Sequence, residues 1–109
     1  MAKDDVMMVY ATASSRAEAM QIGRVLVEAR LAACANVFDG MTAIYHWDGK
    51  LQEEDEAVLV LKTTAELLGG LTARLRELHS YDVPCIVSWK IETGDPPYLD
   101  WVKGELRKS

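Results

Sequence analysis

Two long strand-forming segments meet at Asp48-Gly49, a dipeptide suited to a tight hairpin turn because both of its positions adopt positive φ. Residues 34–47 lead into this turn and residues 50–63 lead out of it. At ~3.3 Å per residue, each arm would extend roughly 45 Å, whereas a domain of ~100 residues has a radius of gyration near 13 Å. The hairpin must therefore bend, project into solvent or pack on another subunit. We predict subunit packing, since an isolated two-stranded ribbon is marginal in water.

The register of this hairpin also follows from its turn. If the turn has two residues, Trp47 faces Lys50 and Val37 faces Val60, unless a bulge intervenes. Gly40 is the natural position for such a bulge or bend.

The segments before the hairpin predict a strand and then a helix. Residues 6–12 form a short apolar run rich in β-forming side chains, which is typical of a buried strand. Ser15 and Glu18 predict a capping box for the helix, whose apolar residues recur at spacings of three and four. We expect this helix to end near Arg30 or Leu31.

The segments after the hairpin predict a second helix, a strand and a short terminal helix. Thr63 and Glu66 form a candidate capping box, and residues 83–89 have the composition of a strand. Asp95 before Pro96 predicts the start of the last helix. The apolar stripe of the second helix consists of Leu67, Leu68, Leu71, Leu75 and Leu78. The last helix places four residues on one face, namely Tyr98, Trp101, Val102 and Glu105.

This order of elements predicts an α+β fold in a single domain over residues 1–109. It is a ferredoxin-like βαββαβ sandwich with a long hairpin between its second and third strands and an extra C-terminal helix. In such a sandwich both helices cover one face of a four-stranded antiparallel sheet, and a wet second face would alternate polar with apolar residues. The first and third strands do not alternate. We therefore expect another copy of the chain to cover the second face.

Charge and cysteine content limit the classes of partner and compartment. Twelve Lys and Arg against seventeen Asp and Glu give a net charge of −5, which argues against nucleic acid and membrane surfaces as partners. The acidic N-terminus and the lack of a run of ~20 apolar residues predict a cytoplasmic protein. Cys34 and Cys85 are expected to be reduced thiols, with a single bridge between them left open. A chain of this size needs no metal to fold.

Few residues have the pattern of a catalytic or metal site. His79 and Ser80 are adjacent, and neighbouring side chains rarely aim at each other, so we do not predict an enzyme. The acidic run at residues 53–56 alternates between faces and is expected to be a solvated strand end. His79 and Cys85 flank one short loop and are candidate ligands for copper or zinc, although other ligands would have to come from a subunit boundary.

Several segments of the chain resemble the CutA divalent-cation tolerance family in order and spacing. LVEARLAACANV at residues 26–37 is similar to the family signature LVEERLAACVNI, and IYHWDGKLQEE at residues 44–54 is similar to its hairpin. LHSYDVP at residues 78–84 and GDPPYLDW at residues 94–101 resemble further family segments, as does LKT at residues 61–63.

The resemblance implies a tight homotrimer related in shape to PII signalling proteins, with a role in tolerance of divalent metals and with Cu(II) or another divalent metal as ligand. His79 occupies the position of a proposed family copper ligand. Ala11 stands where the family has a ligating cysteine, and Cys85 stands where it has a glutamate. We expect trimer contacts from the hairpin and the third strand, at Tyr45, Trp47, Val58 and Val60.

Two alternatives to a copper-binding trimer follow from the same residues. One is a PII-like trimer that binds a small ligand or a partner in clefts between subunits, lined by Tyr81, Trp89 and Lys90. The other is a very stable trimer that serves as an adaptor. The physiological metal or ligand, the protein partners and the redox activity of the cysteines are left open by the sequence.

Overall fold

Four antiparallel strands and three helices make up the protein in a computed structural model that describes residues 1–108. The strands pair in the order β2-β3-β1-β4, which is the ferredoxin-like arrangement. The α+β prediction is therefore confirmed. The elements in chain order are β1 (Val6–Ala13), α1 (Arg16–Glu28), β2 (Cys34–Trp47), β3 (Lys50–Thr64), α2 (Ala65–Leu78), β4 (Ile86–Lys90) and α3 (Pro96–Gly104).

The hairpin of β2 and β3 turns and bulges where the sequence predicts. Asp48 and Gly49 have φ values of 54° and 77°, and Trp47 pairs with Lys50. The register shifts by one residue between Phe38 and Met41, at a glycine with φ of 75°, so that Val37 pairs with Leu59 instead of Val60. With arms of 14 and 15 residues, the hairpin gives the molecule an elongated shape, 44 Å long and 25 by 22 Å across.

The N-terminus of α1 is capped by three residues. Ser15 Oγ accepts a hydrogen bond from the Glu18 amide at 3.1 Å, as predicted. The Glu18 carboxylate does not return to Ser15, because it accepts from the Ser14 amide at 2.9 Å and from the Ser14 hydroxyl at 2.8 Å. The helix ends at Glu28, earlier than expected, since Arg30 adopts a left-handed φ of 61°.

The predicted capping box of α2 is wrong. Thr63 is the penultimate residue of β3, is fully buried, and donates its hydroxyl hydrogen to the Leu31 carbonyl at 2.8 Å. Pairing of β3 with β1 continues to Thr64, which becomes the N-cap without a side-chain hydrogen bond. The leucine stripe is confirmed, with Leu67, Leu71 and Leu75 buried in the core.

The last strand and the last helix are shorter or less buried than the sequence indicates. β4 begins at Ile86, and Val83 is exposed. The Cys85 carbonyl accepts the last ladder hydrogen bond, from the Thr12 amide at 3.3 Å, and the preceding proline has no N–H to extend it. In α3 only Val102 is fully buried, and the aromatic residues Tyr98 and Trp101 on its predicted face are 40% and 46% exposed.

The two faces of the sheet differ in what covers them. Helices α1 and α2 pack on one face, where Val9 and Leu61 are completely buried. Helix α3 packs at one end of the opposite face, where Val102 is buried beside Val6. The opposite face, called here the open face, carries large apolar side chains that the single chain leaves accessible. Phe38, Val87 and Trp89 are 57%, 52% and 49% exposed there. The large apolar residues of the open face are Met8, Tyr10, Phe38, Val58, Val60, Val87 and Trp89, which are cross-strand neighbours.

Candidate functional site

A cavity of about 640 Å³ lies between the outer half of the hairpin, beyond its bulge, and the loop before β4. β1 contributes Tyr10 to its wall, the hairpin contributes Tyr45, and the loop contributes Tyr81. No basic residue is found among its lining residues, all of which belong to the described part of the chain. The open-face cavity is lined by Tyr10, Thr12, Met41, Ala43, Ile44, Tyr45, Trp47, Glu54, Glu56, Tyr81, Asp82, Val83 and Cys85.

Two tyrosine–glutamate hydrogen bonds organise this cavity. Tyr81 donates its hydroxyl hydrogen to Glu56 Oε2 at 2.8 Å, and Tyr45 donates to Glu54 Oε2 at 3.1 Å. Burial, together with the hydrogen bond to the neighbouring carboxylate, raises the pKa of each tyrosine hydroxyl. Both hydroxyls are therefore protonated donors at neutral pH.

Glu56 is the buried carboxylate of the cavity. Only 7% of this residue is exposed, and none of the ion pairs within residues 1–108 includes it. Its described partner is the neutral hydroxyl of Tyr81. A buried carboxylate is ordinarily paired with an opposite charge, but no basic side chain of the described residues pairs with Glu56.

His79 is held by both of its ring nitrogens. Nδ1 accepts a hydrogen bond from the Tyr81 amide at 3.0 Å, so the proton is on Nε2, which donates to the Thr12 carbonyl at 2.7 Å. The next residue is also fixed, because the Ser80 amide donates to Glu18 Oε2 at 2.9 Å. His79 thus ties the loop that carries Tyr81 to the end of β1.

The predicted metal ligands do not form a preassembled site. A neutral imidazole offers one acceptor nitrogen, and in His79 the Tyr81 amide already occupies it. Cys85 is an exposed free thiol on the cavity wall. Among residues 1–108, no three His, Cys, Asp or Glu side chains are grouped so that they could hold a metal ion. The ligand pair His79 and Cys85 stays a prediction.

The other residues predicted to line a ligand cleft are separated. Tyr81 lines the open-face cavity, whereas Trp89 and Lys90 do not. Trp89 pairs with Met8 on the open face. Lys90 lies one residue further along β4, and its Nζ is 3.6 Å from an oxygen of Asp5.

The residues predicted to make trimer contacts fall into two groups. Tyr45 and Trp47 line the open-face cavity, and Trp47 is largely exposed. Val58 and Val60 are half-buried at the centre of the open face. No partner chain is described, so their role in assembly stays a prediction.

The acidic run at residues 53–56 is solvated only in part, contrary to the expectation from the sequence, because Glu56 is buried. Glu54 and Glu56 line the cavity, while Glu53 and Asp55 are exposed and alternate to the other side of β3. The alternation along the strand is a signal for this division, although the partner tyrosines become visible only in the folded chain.

A second side-chain cluster lies at the far end of the sheet, under α3. Cys34 Sγ is 3.6 Å from the Tyr98 hydroxyl oxygen and 3.8 Å from Lys62 Nζ. The Tyr98 ring stacks with Trp101 at a centroid distance of 5.8 Å. Burial and the contact with Cys34 raise the pKa of Tyr98, whereas Lys62 opposes the shift. Both cysteines are free in this structure, so no bridge joins them.

None of the helices described within residues 1–108 combines the length and the apolar character required to cross a membrane.

Comparisons with known proteins point to one family. The family model of the CutA1 divalent ion tolerance protein matches residues 7–105. The chain is 45% identical over 93 residues to a protein CutA homolog of Xenopus laevis, covering 85% of this chain and 62% of that protein. It is 43% identical over 96 residues to the divalent-cation tolerance protein CutA of Thermus thermophilus, covering 88% of this chain and 93% of that protein.

Solved structures agree with these matches. CutA1 from Oryza sativa superimposes with a TM-score of 0.93 at 33% identity, covering 96% of each chain. The Thermus thermophilus protein superimposes with a TM-score of 0.90 at 40% identity, covering 94% of this chain and 99% of the other. The chain spans only about half of some longer relatives, for example 55% of protein CutA of Mus musculus.

Proposed function

Because the chain belongs to the CutA1 divalent ion tolerance protein family, we propose that it acts as a homotrimer of the PII type that binds divalent cations, Cu(II) among them, at its subunit boundaries. We propose a binding role instead of a catalytic one, since both nitrogens of His79 are engaged in structural hydrogen bonds and neither is free to activate a thiol. The two free cysteines are in keeping with a cytoplasmic location, which stays part of the proposal.

The open face carries the assembly part of this proposal. Phe38 on β2 and Val87 and Trp89 on β4 are about half exposed at the two edges of the sheet. The half-buried Tyr10 and Val58 lie between them on the two central strands. A contiguous apolar surface of this kind is typical of a protein interface. A second copy of the same sheet is the simplest cover, and closed symmetry then gives a small ring of subunits.

Two lysine variants on one strand test the assembly. Val87→Lys places a charge on the open face at a half-exposed position, so the single chain should still fold. Ser88→Lys is the matched control, because Ser88 is exposed and points to the other side of β4. Light scattering should show that Val87→Lys lowers the mass towards the 12.1 kDa of one chain while Ser88→Lys remains assembled. Equal masses for the two variants would contradict the interface.

Cys85 carries the metal part of the proposal. Its exposed thiol is a soft ligand of the kind that copper and zinc prefer. His79 can join it only if Nδ1 gives up the Tyr81 amide, so further ligands must come from an adjacent subunit. The family's name supports divalent cations as the cargo.

Calorimetric titration with Cu(II), and with Zn(II) as a redox-inert probe, tests this metal site. We expect Cys85→Ser to abolish stoichiometric binding and the control Cys34→Ser to retain it. His79→Asn should weaken binding if the imidazole joins Cys85. Equal heats for the wild type and Cys85→Ser would exclude a site at Cys85.

A second candidate function is binding of a small ligand or partner by the trimer without a specific metal site. The open-face cavity supports this candidate, because its volume of about 640 Å³ lies within the usual range of ligand pockets. A thermal-shift screen with nucleotides and metabolites tests it. A lack of any shift would leave the metal-binding function as the better account.

A further inference from the structure

We propose that Cys34 and Lys62 form a redox-modification site, in which hydrogen peroxide oxidises the thiol and the lysine nitrogen then forms a covalent bond to the sulfur. The site lies at the end of the open face where α3 packs, and Tyr98 of that helix contacts it. The reaction depends neither on metal binding nor on the trimer, because both reacting side chains belong to one chain and are neighbours within it.

The register of the sheet places the two reacting side chains directly opposite each other. Cys34 on β2 pairs with Lys62 on β3, and side chains at such positions share one face with their Cβ atoms about 5 Å apart. Lys62 Nζ is 3.8 Å from Cys34 Sγ. Because lysine carries its nitrogen on a flexible four-carbon stem, the nitrogen can close this gap without movement of the strands. The backbone thus holds a nucleophile beside the sulfur, which makes their reaction effectively unimolecular.

Two further side chains keep the nitrogen of Lys62 near the sulfur. The Asn36 side-chain oxygen accepts a hydrogen bond from Lys62 Nζ at 3.2 Å. The same nitrogen lies over the Tyr98 ring, 5.7 Å from its centroid. The Tyr98 hydroxyl oxygen is 3.6 Å from Cys34 Sγ. These side chains come from β2, β3 and α3, so the tertiary fold assembles the site around the cysteine.

The proposed reaction has two balanced steps. Hydrogen peroxide transfers one oxygen atom to the thiol of Cys34. The O–O bond breaks, one water leaves, and the sulfur loses two electrons as it becomes a sulfenic acid. Lys62 gives one proton to solvent, and its nitrogen lone pair then attacks the sulfur. The S–N bond forms as the S–O bond breaks, and the leaving hydroxyl takes a proton from the amine to form a second water.

The product of these steps is a sulfenamide, and it is reversible. Sulfenic acids undergo the same condensation with backbone nitrogen. A dithiol reduces the sulfur of the sulfenamide to the thiol, releases the lysine amine and is itself oxidised to a disulfide. The link removes the positive charge of Lys62 and with it the cation over the Tyr98 ring. Oxidation therefore changes the charge at the α3 end of the open face.

Position separates Cys34 from Cys85 as a substrate for this reaction. Cys85 lies on the wall of the open-face cavity, and no lysine or arginine of the described residues lines that cavity. β2 and β4 are the two edges of the sheet, three strand spacings or roughly 14 Å apart. A disulfide requires Cα atoms within about 7 Å of each other. Oxidised Cys34 is therefore adjacent to Lys62 and out of reach of Cys85.

The half-buried position of Cys34 suits a small oxidant. Hydrogen peroxide is little larger than water, whereas the thiol of a second protein brings a whole molecule with it. A neighbouring copy on the open face would hinder large thiols further and would leave Cys34 and Lys62 side by side. The link is therefore compatible with the proposed assembly.

Mass spectrometry of an oxidised single-cysteine variant tests the proposal. Cys85→Ser leaves Cys34 as the one cysteine of the full chain. After treatment with hydrogen peroxide in mildly alkaline buffer with a metal chelator, the chain should lose the mass of two hydrogen atoms. Peptide mapping should show the peptides of Cys34 and Lys62 joined, and dithiothreitol should restore the original mass. Absence of the joined peptides, or a link from Cys34 to another lysine, would overturn the proposal.

Two lysine variants of the Cys85→Ser chain are the matched controls. Lys62→Arg keeps a positive charge near the sulfur, but a guanidinium stays protonated and does not attack. The joined peptides should disappear, and dimedone, which traps sulfenic acids, should label Cys34 more than in the parent. Lys90→Arg should form the link as the parent does, because Lys90 Nζ lies near Asp5 instead. A loss of two hydrogen atoms that persists in Lys62→Arg would contradict the site. Melting curves verify that each variant is folded.

Discussion

Tyr81 donates a hydrogen bond of 2.8 Å to Glu56, a residue that lies 25 positions earlier in the chain. Glu56 belongs to β3 near the bulge of the hairpin, and Tyr81 belongs to the loop that precedes β4. The bond therefore joins two walls of the open-face cavity. Glu56 is buried and has no ion pair within residues 1–108, so the Tyr81 hydroxyl is the described donor that compensates the burial of its carboxylate.

Tyr81→Phe should destabilise the protein more than Tyr45→Phe. Loss of the Tyr81 hydroxyl leaves a buried carboxylate without its donor, and we expect the free energy of unfolding to fall by about 1–3 kcal/mol. Tyr45 donates to the exposed Glu54, where water can replace the hydroxyl. Tyr45→Phe should therefore lower the free energy of unfolding by less than about 0.5 kcal/mol. Urea denaturation at one protein concentration measures both. Equal losses would contradict the special position of Glu56.

His79→Ala should release the loop before β4. The substitution removes the hydrogen bonds to Thr12 and Tyr81 and leaves a void. We therefore expect the free energy of unfolding to fall by about 2–4 kcal/mol. His79→Asn keeps an acceptor near the position of Nδ1, so its free energy of unfolding should fall less than that of His79→Ala. Hydrogen exchange at the Tyr81 amide should be fast in the alanine variant and intermediate in the asparagine variant. Unchanged protection in both would show that His79 does not hold the loop.

Glu18 should contribute to stability above about pH 5 and lose that contribution in acid. Burial acts to raise its pKa, but hydrogen bonds from Ser80 and Ser14 outweigh burial and lower the pKa from 4.5 to about 2. A carboxyl with a depressed folded-state pKa stabilises the fold when ionised, and the benefit disappears as the pH falls from the unfolded pKa through the folded one. After allowance for solvent screening, we expect ionised Glu18 to contribute about 1 kcal/mol to the free energy of unfolding.

Glu18→Gln provides the test of this pH dependence. The unfolding free energy of the wild type should fall relative to the variant as the pH falls from 5 to about 2. Parallel curves for the two proteins across that range would contradict the depressed pKa of Glu18.

Two glycine substitutions should have opposite signs. Gly69→Ala lies within α2 and meets no atom within 4 Å, so it should raise the free energy of unfolding by about 0.5–1 kcal/mol. Gly23→Ala would place its Cβ 3.0 Å from the Ala35 Cβ and 3.3 Å from Leu59 Cδ1. We expect this overpacking to lower the free energy of unfolding by about 1–3 kcal/mol. Thermal denaturation of the two variants checks the signs, and a stabilised Gly23→Ala would show that α1 packs less tightly on the sheet.

Local sequence signals were sufficient to predict most of the fold. Asp48-Gly49 predicts the hairpin turn because both residues need positive φ, and Gly40 predicts the bulge for the same reason. The capping prediction at Thr63 failed because pairing with β1 extends β3 through that residue and its hydroxyl binds the Leu31 carbonyl. A local motif cannot reveal such a distant competitor.

The cavity was less accessible to sequence reasoning. The alternation of residues 53–56 indicates which acids share a face, but not that tyrosines from the hairpin and from the loop before β4 lie against them. Tyr81, Trp89 and Lys90 are predicted to line a cleft between subunits, and within the single chain only Tyr81 lines the cavity, so that cleft stays a prediction. Contacts between separate elements decide the site, and these contacts appear only after folding.

The mass of the wild-type protein in solution tests the central claim, that the open face is a contact between copies of the chain. Native mass spectrometry at micromolar concentration should give a single species of about 36 kDa, three times the 12.1 kDa chain. A species of 12.1 kDa at that concentration would contradict the trimer and would leave the apolar open face without its proposed cover.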